Sequence, residues 1–359
     1  MFSTTDSLEM IKDLSNANGV SGFEDEVVKV IRKYAKDHIE VKEDCLRNLY
    51  LHRKKNKGNQ PMVMIDAHSD EVGFMVQSIK ANGLIKFIPI GGWVAQNVPA
   101  QRVRITNAEG EVIIGVVATK PPHFMSEVER KQPIEISSLV IDIGATSRKE
   151  VIEIFKIEVG APIVPDVTFS YNKTNETLLG KGFDNRLGCA ALIDTLNTLE
   201  KEDLKVDVVG TVSSQEEVGT RGAIVTANTV KPDVAIVFEG TPADDTFMDE
   251  YESQAALKKG PQIRHRDRSM ITHPRFAKFS RQVAKEVGID FQDAVRSGGG
   301  TNGGSIHLSN KGVPTIVIGI PVRYIHTHQG FSAFVDYKNA VKWTSEIVKQ
   351  LNKEIIDKF

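Results

Sequence analysis

Pro61-Met-Val-Met-Ile-Asp-Ala-His-Ser-Asp70 begins as a nearly unbroken apolar run and closes on an imidazole and a carboxylate. An apolar run without alternation marks a strand buried on both faces, as in a parallel sheet covered by helices. Four further segments share the pattern: Gly182-Phe-Asp-Asn-Arg186, Val208-Val-Gly-Thr-Val-Ser-Ser-Gln-Glu-Glu217, Val234-Ala-Ile-Val-Phe-Glu239 and Ile316-Val-Ile-Gly-Ile-Pro-Val-Arg-Tyr-Ile-His326. Each run ends in an acid or a potential metal ligand. Ligands of open α/β sheets collect in the crevice beyond the strand ends, and a side chain based on a buried strand has the rigidity that a metal site requires. A donor set of His, Asp and Glu suits two zinc, cobalt or manganese ions, which makes a dinuclear centre the expectation. Cys45 and Cys189 are correspondingly poor ligand candidates.

Composition narrows the function classes. The chain has 359 residues, 40% hydrophobic and 26% charged, enough for one large domain and a smaller one. Its formal net charge of −2 offers no basis for binding nucleic acid or an anionic membrane. No apolar run approaches the roughly 18 residues of a spanning helix. Two cysteines, with an opening that lacks a basic start and apolar core, predict no disulfide framework, no signal peptide and a cytoplasmic location. Arg53-Lys-Lys-Asn-Lys57 reads as a solvated basic turn.

The spacing of Leu8, Ile11 and Leu14 predicts a helix from Ser7 to Asn18 capped by Asp6 or Ser7, and that of Val27, Val28, Ile31 and Tyr34 a second from Phe23. From about Val72 to Pro165 short β runs broken by Gly, Pro and Asn suggest an inserted barrel or sandwich with exposed strand edges. After Lys181 strands and helices alternate again, as in βα units of a mostly parallel sheet. These comprise a helix from Gly188 to Leu199, a strand Val206 to Val212, a helix Thr220 to Asn228 and a strand Val234 to Phe238. The tail adds a helix from Pro274, a strand Pro314 to Ile320 and a closing helix Asn339 to Ile355. Ser297-Gly-Gly-Gly-Thr-Asn-Gly-Gly304 lacks the Lys-Ser/Thr of a phosphate loop and reads as backbone passing close to the site or to substrate.

Taken singly, these motifs have ordinary readings. His68 and Asp70 would suit a surface turn, Asp184 an N-cap, and Glu216-Glu217 a solvated helix start. Adjacent carboxylates at the end of an apolar run repel, however, unless one binds a cation and the other holds a proton or water. Asp70, two residues from His68, can hold the second ring nitrogen of that histidine.

The same residues carry a resemblance that runs nearly end to end. Asp66-Ala-His-Ser-Asp-Glu-Val-Gly-Phe74, Lys120-Pro-Pro-His-Phe124, Ile141-Asp-Ile-Gly-Ala145, Gly180-Lys-Gly-Phe-Asp-Asn-Arg-Leu-Gly-Cys189, Gln215-Glu-Glu-Val-Gly-Thr-Arg-Gly222, Gly299-Gly-Thr-Asn302 and Gly312-Val-Pro through His326 carry it. The chain resembles the dinuclear-metal aminopeptidases that form tetrahedral shells, known as glutamyl or deblocking aminopeptidases and formerly misnamed endoglucanases. The resemblance implies an α/β, zinc-peptidase-like catalytic domain (1–71 and 166–359) with a mostly parallel sheet flanked by helices. It also implies a PDZ-like β-rich insertion (72–165) that mediates assembly into a homo-oligomer such as a dodecamer. By position it implies His68 and Glu217 on one metal, Glu239 and His326 on the other, and Asp184 bridging. Glu216 would be the general base and Asp70 would orient His68. Paired carboxylates of a glucanase need no histidines.

Three departures stand out. Glu239 replaces an Asp, Asn302 replaces another, and the usual Ser-Pro after the last ligand is Thr327-His328; alternation would give His328 the same face as His326, but the register of Arg323-Tyr-Ile favours His326 as the ligand. The expected function is a metal-dependent exopeptidase removing N-terminal residues from peptides. Glu239 motivates the rival reading, a carboxypeptidase or N-acyl deacylase on the same centre. A non-catalytic scaffold would have no use for Glu216.

Overall fold

Strands Asp207–Ser213, Met62–His68, Val234–Pro242 and Thr315–Val322 lie side by side and parallel in the computed structural model, which describes residues 4–359. These are the apolar runs of the sequence, and nearly every residue in them is buried. The sheet extends on one side through the antiparallel strands Leu49–Arg53 and Ile39–Glu43. On the other side Gln262–Arg266 pairs antiparallel with Thr315–Val322, and Gln292–Val295 forms the edge. None of these four outer strands was expected, because each is short and mixes apolar with polar side chains.

Helices cover both faces. Thr4–Asn16, Asp25–Tyr34, Phe183–Thr198, Pro274–Glu286 and Phe334–Gln350 bury their apolar stripes in the larger core, around Leu187, Phe276 and Trp343. Arg221–Val230 and Asn302–Ile306 enclose a smaller core on the opposite face, with Met64, Ala223 and Ile306.

Several sequence expectations are corrected. The first helix is already under way at Thr4, so Asp6 and Ser7 lie inside it; Ser7 Oγ donates to Asp194 Oδ2 at 2.7 Å, an oxygen that also accepts from the Tyr337 hydroxyl at 2.6 Å. The closing helix starts at Phe334 and stops at Gln350, after which Leu351 turns extended and Asn352 caps a separate turn at Lys353–Ile356. The basic tract is not wholly solvated, since Arg53 is buried and donates to the Leu199 carbonyl at 2.8 Å.

The insertion is a closed barrel of strands Gly73–Ile79, Ile85–Ile90, Arg102–Thr106, Val112–Ala118, Val140–Asp142 and Pro162–Pro165. The short, proline-flanked last strand was not foreseen; it closes the barrel by pairing with both Gly73–Ile79 and Arg102–Thr106. Closure removes the free edges that the sequence reading invoked as a reason for assembly. In their place Val112, Ile114 and Val116 stand 42%, 41% and 44% exposed along one strand, while Val117 faces the apolar interior with Phe74, Phe87 and Ile141. Arg104 ties the barrel to the main domain, donating to Asp166 at 2.8 Å and to the Asn16 carbonyl at 3.0 Å.

Candidate metal centre

The five candidate ligands and Glu216 converge beyond the carboxyl ends of the four central strands, the place where open α/β sheets form sites. His68 is the last residue of its strand and Glu239 lies within another. Glu216 and Glu217 follow the strand end at Ser213, and His326 follows that at Val322. Asp184 comes from neither a strand end nor an N-cap: it follows left-handed Gly182 in a non-helical start to the helix Phe183–Thr198. A Cβ at Gly240 would stand 2.7 Å from Asp184 Cα, so glycine is needed for that approach.

Asp184 lies between the two histidines. Its Oδ1 is 3.0 Å from His68 Nε2 and its Oδ2 is 3.5 Å from His326 Nε2. Glu239 Oε1 is 3.8 Å from His68 Nε2, and Glu217 Oε2 is 3.3 Å from His326 Nε2. Donor atoms of His68, Asp184 and Glu239 lie within 4.8 Å of one another, as do those of Asp184, Glu217 and His326, and those of His68, Glu216 and Glu217. By nearest distance Glu239 stands beside His68 and Glu217 beside His326, while Glu217 also falls within the grouping that contains His68.

The electrostatics fit cations. Burial drives Glu216 and Glu217 well above the ordinary carboxylate range, with neighbouring carboxylates adding to the rise. Burial likewise pushes Glu239 up to about 7, helped by Asp184. Burial alone would depress the His68 imidazolium, but hydrogen bonds to Asp184, Asp70 and Glu239 raise it well above the usual histidine value. Glu217 Oε1 and Glu239 Oε2 are buried without a hydrogen-bond partner among the described residues. Lone pairs so buried and so crowded are costly unless cations meet them.

The turns that present these groups are tight. Gln215, Tyr324 and His326 have φ of 53°, 62° and 57°, a region side-chain-bearing residues rarely adopt. Because 324–328 is a turn and not a strand, alternation does not place His328 beside His326. His328 is buried against Trp93, its ring neutral and pushed down to about 4 by burial. Asn302 also proves to act behind the site, donating to Asp66 Oδ2 at 2.7 Å. Cys189 is buried, its thiol donating to the His68 carbonyl at 3.0 Å.

Asp70 meets both His68 and the backbone of the Glu216-Glu217 turn. Its Oδ1 lies 3.4 Å from His68 Nδ1, and its carboxylate accepts from Glu216 N at 2.9 Å, Glu217 N at 3.1 Å and Ser21 Oγ at 2.6 Å. Glu24, fully buried, accepts from Gly22 N at 2.8 Å and Gln215 N at 3.2 Å. A second support lies under Asp184, where Glu71 Oε1 accepts from Lys181 Nζ at 2.6 Å and Arg186 at 3.1 Å, all three residues buried. The sequence reading missed Ser21, Glu24, Glu71 and Lys181. Only the position of Glu71 and Lys181 within the quoted motifs hinted at them; Glu24 reads locally as a helix start.

With this geometry in hand, comparison with known proteins is decisive. The sequence profile described as M42 glutamyl aminopeptidase matches residues 48–343, and one described as AMPT matches residues 5–30. The chain belongs to the M42 aminopeptidase family. It is a hydrolase acting on peptide bonds, and its activity class is aminopeptidase. It is 35% identical to a putative aminopeptidase of Acetivibrio thermocellus over 96% of this chain and 98% of that protein. It is 32% identical to the glutamyl aminopeptidase of Lactococcus lactis and 31% identical to the lysyl aminopeptidase of Pyrococcus furiosus, each over 96% of this chain and 97% of the relative. Among solved structures, a TET aminopeptidase from a marine sediment archaeon of the Thaumarchaeota superposes with a TM-score of 0.94 at 38% identity, covering 98% and 99% of the two chains. The Pyrococcus horikoshii TET1 peptidase, which can assemble into a tetrahedron or a large octahedral shell, has a TM-score of 0.86 at 27% identity over 96% of this M42 chain and all of its own. Among the described residues no helix is long and apolar enough to cross a membrane.

Proposed function

We propose that this M42 chain removes N-terminal residues from peptides at a centre of two divalent cations, zinc or cobalt by preference and manganese as a third candidate. His68, Asp184 and Glu239 would hold one ion, and Asp184, Glu217 and His326 the other. The observation that carries this reading is the position of Asp184, with one oxygen toward each histidine. Bound ions of this kind supply a nucleophile at neutral pH and polarise a carbonyl. Glu216, whose Oε2 stands 4.0 Å from His68 Nε2, would take the proton of the attacking water and return it to the leaving amine. Asp70 positions this base through the backbone it accepts from. Membership of an aminopeptidase family, with relatives named for that activity, supports N-terminal cleavage over the carboxypeptidase or deacylase reading that Glu239 motivated.

The relatives with shell-forming structures, together with the exposed Val112, Ile114 and Val116, support a homo-oligomer assembled through the PDZ-like barrel. Kinship leaves the preferred first residue open, since relatives of nearly equal identity carry glutamyl and lysyl names.

The test separates base from ligand. Glu216→Gln should keep both metals while turnover drops about 10²-fold or more, whereas Glu217→Gln should lose one metal. Equal metal loss in the two purified variants would show the assignment to be wrong. A peptide with a free N-terminus should be cleaved from that end and its N-acetylated copy should resist.

A further inference from the structure

The turn that carries Glu216 and Glu217 takes its shape from outside. Ser214 N donates to Asn48 Oδ1 at 2.9 Å, Gln215 N to Glu24 Oε1 at 3.2 Å, and Glu216 N and Glu217 N to the Asp70 carboxylate at 2.9 and 3.1 Å. Regular elements satisfy such amides from their own ladders, whereas here each acceptor is a side chain from a distant segment. The bend itself falls at Gln215, whose φ of 53° is left-handed. A side-chain-bearing residue keeps that conformation only where its surroundings over-determine it.

Glu24 is the acceptor at the bend. It precedes the helix Asp25–Tyr34, is fully buried, and makes no capping bond to that helix. The same Oε1 also accepts from Gly22 N at 2.8 Å, while Oε2 is buried with no hydrogen-bond partner among the described residues. Burial and the nearby Asp70 push its carboxyl up to about 7. An acid in such a place costs the fold stability, and helix capping does not account for its presence. Ser21, three residues earlier, supports the same turn by a second route, donating to Asp70 Oδ2 at 2.6 Å. Past the bend the two carboxylates diverge: Glu216 Oε2 stands 4.0 Å from His68 Nε2, and Glu217 Oε2 stands 3.3 Å from His326 Nε2.

We propose that Glu24 is a positioning residue for Glu216. By accepting from the Gln215 amide it holds the left-handed bend from which the Glu216 carboxylate is aimed at the metal centre, and Glu24 itself stands outside the candidate ligand groupings. The proposal rests on Glu216 acting as the general base. What the bend requires is an acceptor oxygen at that reach, not a charge. Glutamine should therefore serve, and a shorter or an apolar side chain should not.

The experiment compares full-length Glu24→Gln, Glu24→Asp and Glu24→Met with the parent at saturating zinc or cobalt, with metal content measured on each purified protein. Glu24→Met and Glu24→Asp should bind the parent's complement of metal and lower kcat about 10- to 100-fold with KM little changed, the scale on which misplacing a reacting group slows a reaction. Glu24→Gln should restore most of that rate. Adding Glu24→Met to Glu216→Gln should cost little further turnover, because a residue that acts through Glu216 has nothing left to position. Hydrogen exchange across 213–219 supplies a reading apart from turnover, with protection falling in Glu24→Met and Glu24→Asp and holding in Glu24→Gln. Should Glu24→Met fail to fold, Glu24→Asp, which keeps the acid, carries the comparison. An unchanged kcat in Glu24→Asp, a Glu24→Gln as slow as the other two, metal loss in step with lost activity, or effects that multiply in the double variant overturn the proposal. If Glu216→Gln alone keeps the parent's turnover while exchange across 213–219 still follows Glu24, the bend is held as proposed and the reading of Glu216 as the base fails instead.

Discussion

The barrel and the sheet-based domain bury opposite things. The barrel interior is Phe74, Val76, Ile85, Phe87, Val103, Ile105 and Ile141, apolar throughout, and its exposed apolar residues stand on the outside. The main domain buries Asp66, His68, Asp70, Glu71, Lys181, Arg186 and Glu239 in and around its candidate metal centre. Apolar burial stabilises a fold without a ligand, whereas clustered buried carboxylates destabilise it until a cation arrives. One region is therefore complete as a polypeptide and the other is completed by its metals.

Metal removal probes that contrast most strongly. Chelation should abolish peptidase activity, with zinc, cobalt or manganese restoring it, and hydrogen exchange should accelerate in the turns at 215–217 and 324–328 while the barrel strands keep their protection. Equal loss of protection in both regions would break the comparison.

Lys181→Met comes next. It removes one cation from the buried Glu71 group and should cost on the order of 3 kcal/mol, the usual scale for breaking a buried ion pair. Denaturant unfolding would measure it, and a variant as stable as the parent would mean that Arg186 alone suffices for Glu71.

His328 offers a pH test at the seam, where it packs on Trp93 of the insertion. Its folded value near 4 lies below the unfolded 6.5, so the unfolded chain binds more protons in between. The contribution is present above pH 6.5 and is lost as pH falls toward 4, on the order of 3 kcal/mol over the window. His328→Phe should flatten that part of the stability curve; an unchanged slope would assign it to other groups.

The smallest effect on stability belongs to Ile114→Lys on the barrel exterior. A surface substitution there should shift unfolding by less than about 0.5 kcal/mol while lowering the assembly state seen by light scattering. An unaltered particle mass would move the interface elsewhere.

How much of this was legible follows the same divide. Continuous apolar runs announced the four parallel strands, because burial on both faces leaves a signature in composition, and residues in or just beyond those runs supplied most of the candidate ligands. Leu49–Arg53 and Gln262–Arg266 left none, being outer strands whose pairing comes from the register of their neighbours. The partnering of Glu239 with His68 depended on side-chain reach across the sheet, which no spacing encodes. Glu24 and Ser21 could not be found for a related reason: the turn they hold belongs to a segment far along the chain. His326 was preferred over His328, but alternation was the wrong ground for comparing them, since residues 324–328 form a turn.

The turn at 215–217 is held by parts of the chain far from it in sequence. Ser21, Glu24 and Asp70 emerge early in synthesis, Glu216 and Glu217 much later, and His326 after almost everything else. Synthesis proceeds from the N-terminal side and domains fold as units. An emerging chain thus carries Ser21, Glu24 and Asp70 long before His326 arrives. The candidate cluster is therefore brought together only when segments far apart in the sequence have joined one fold.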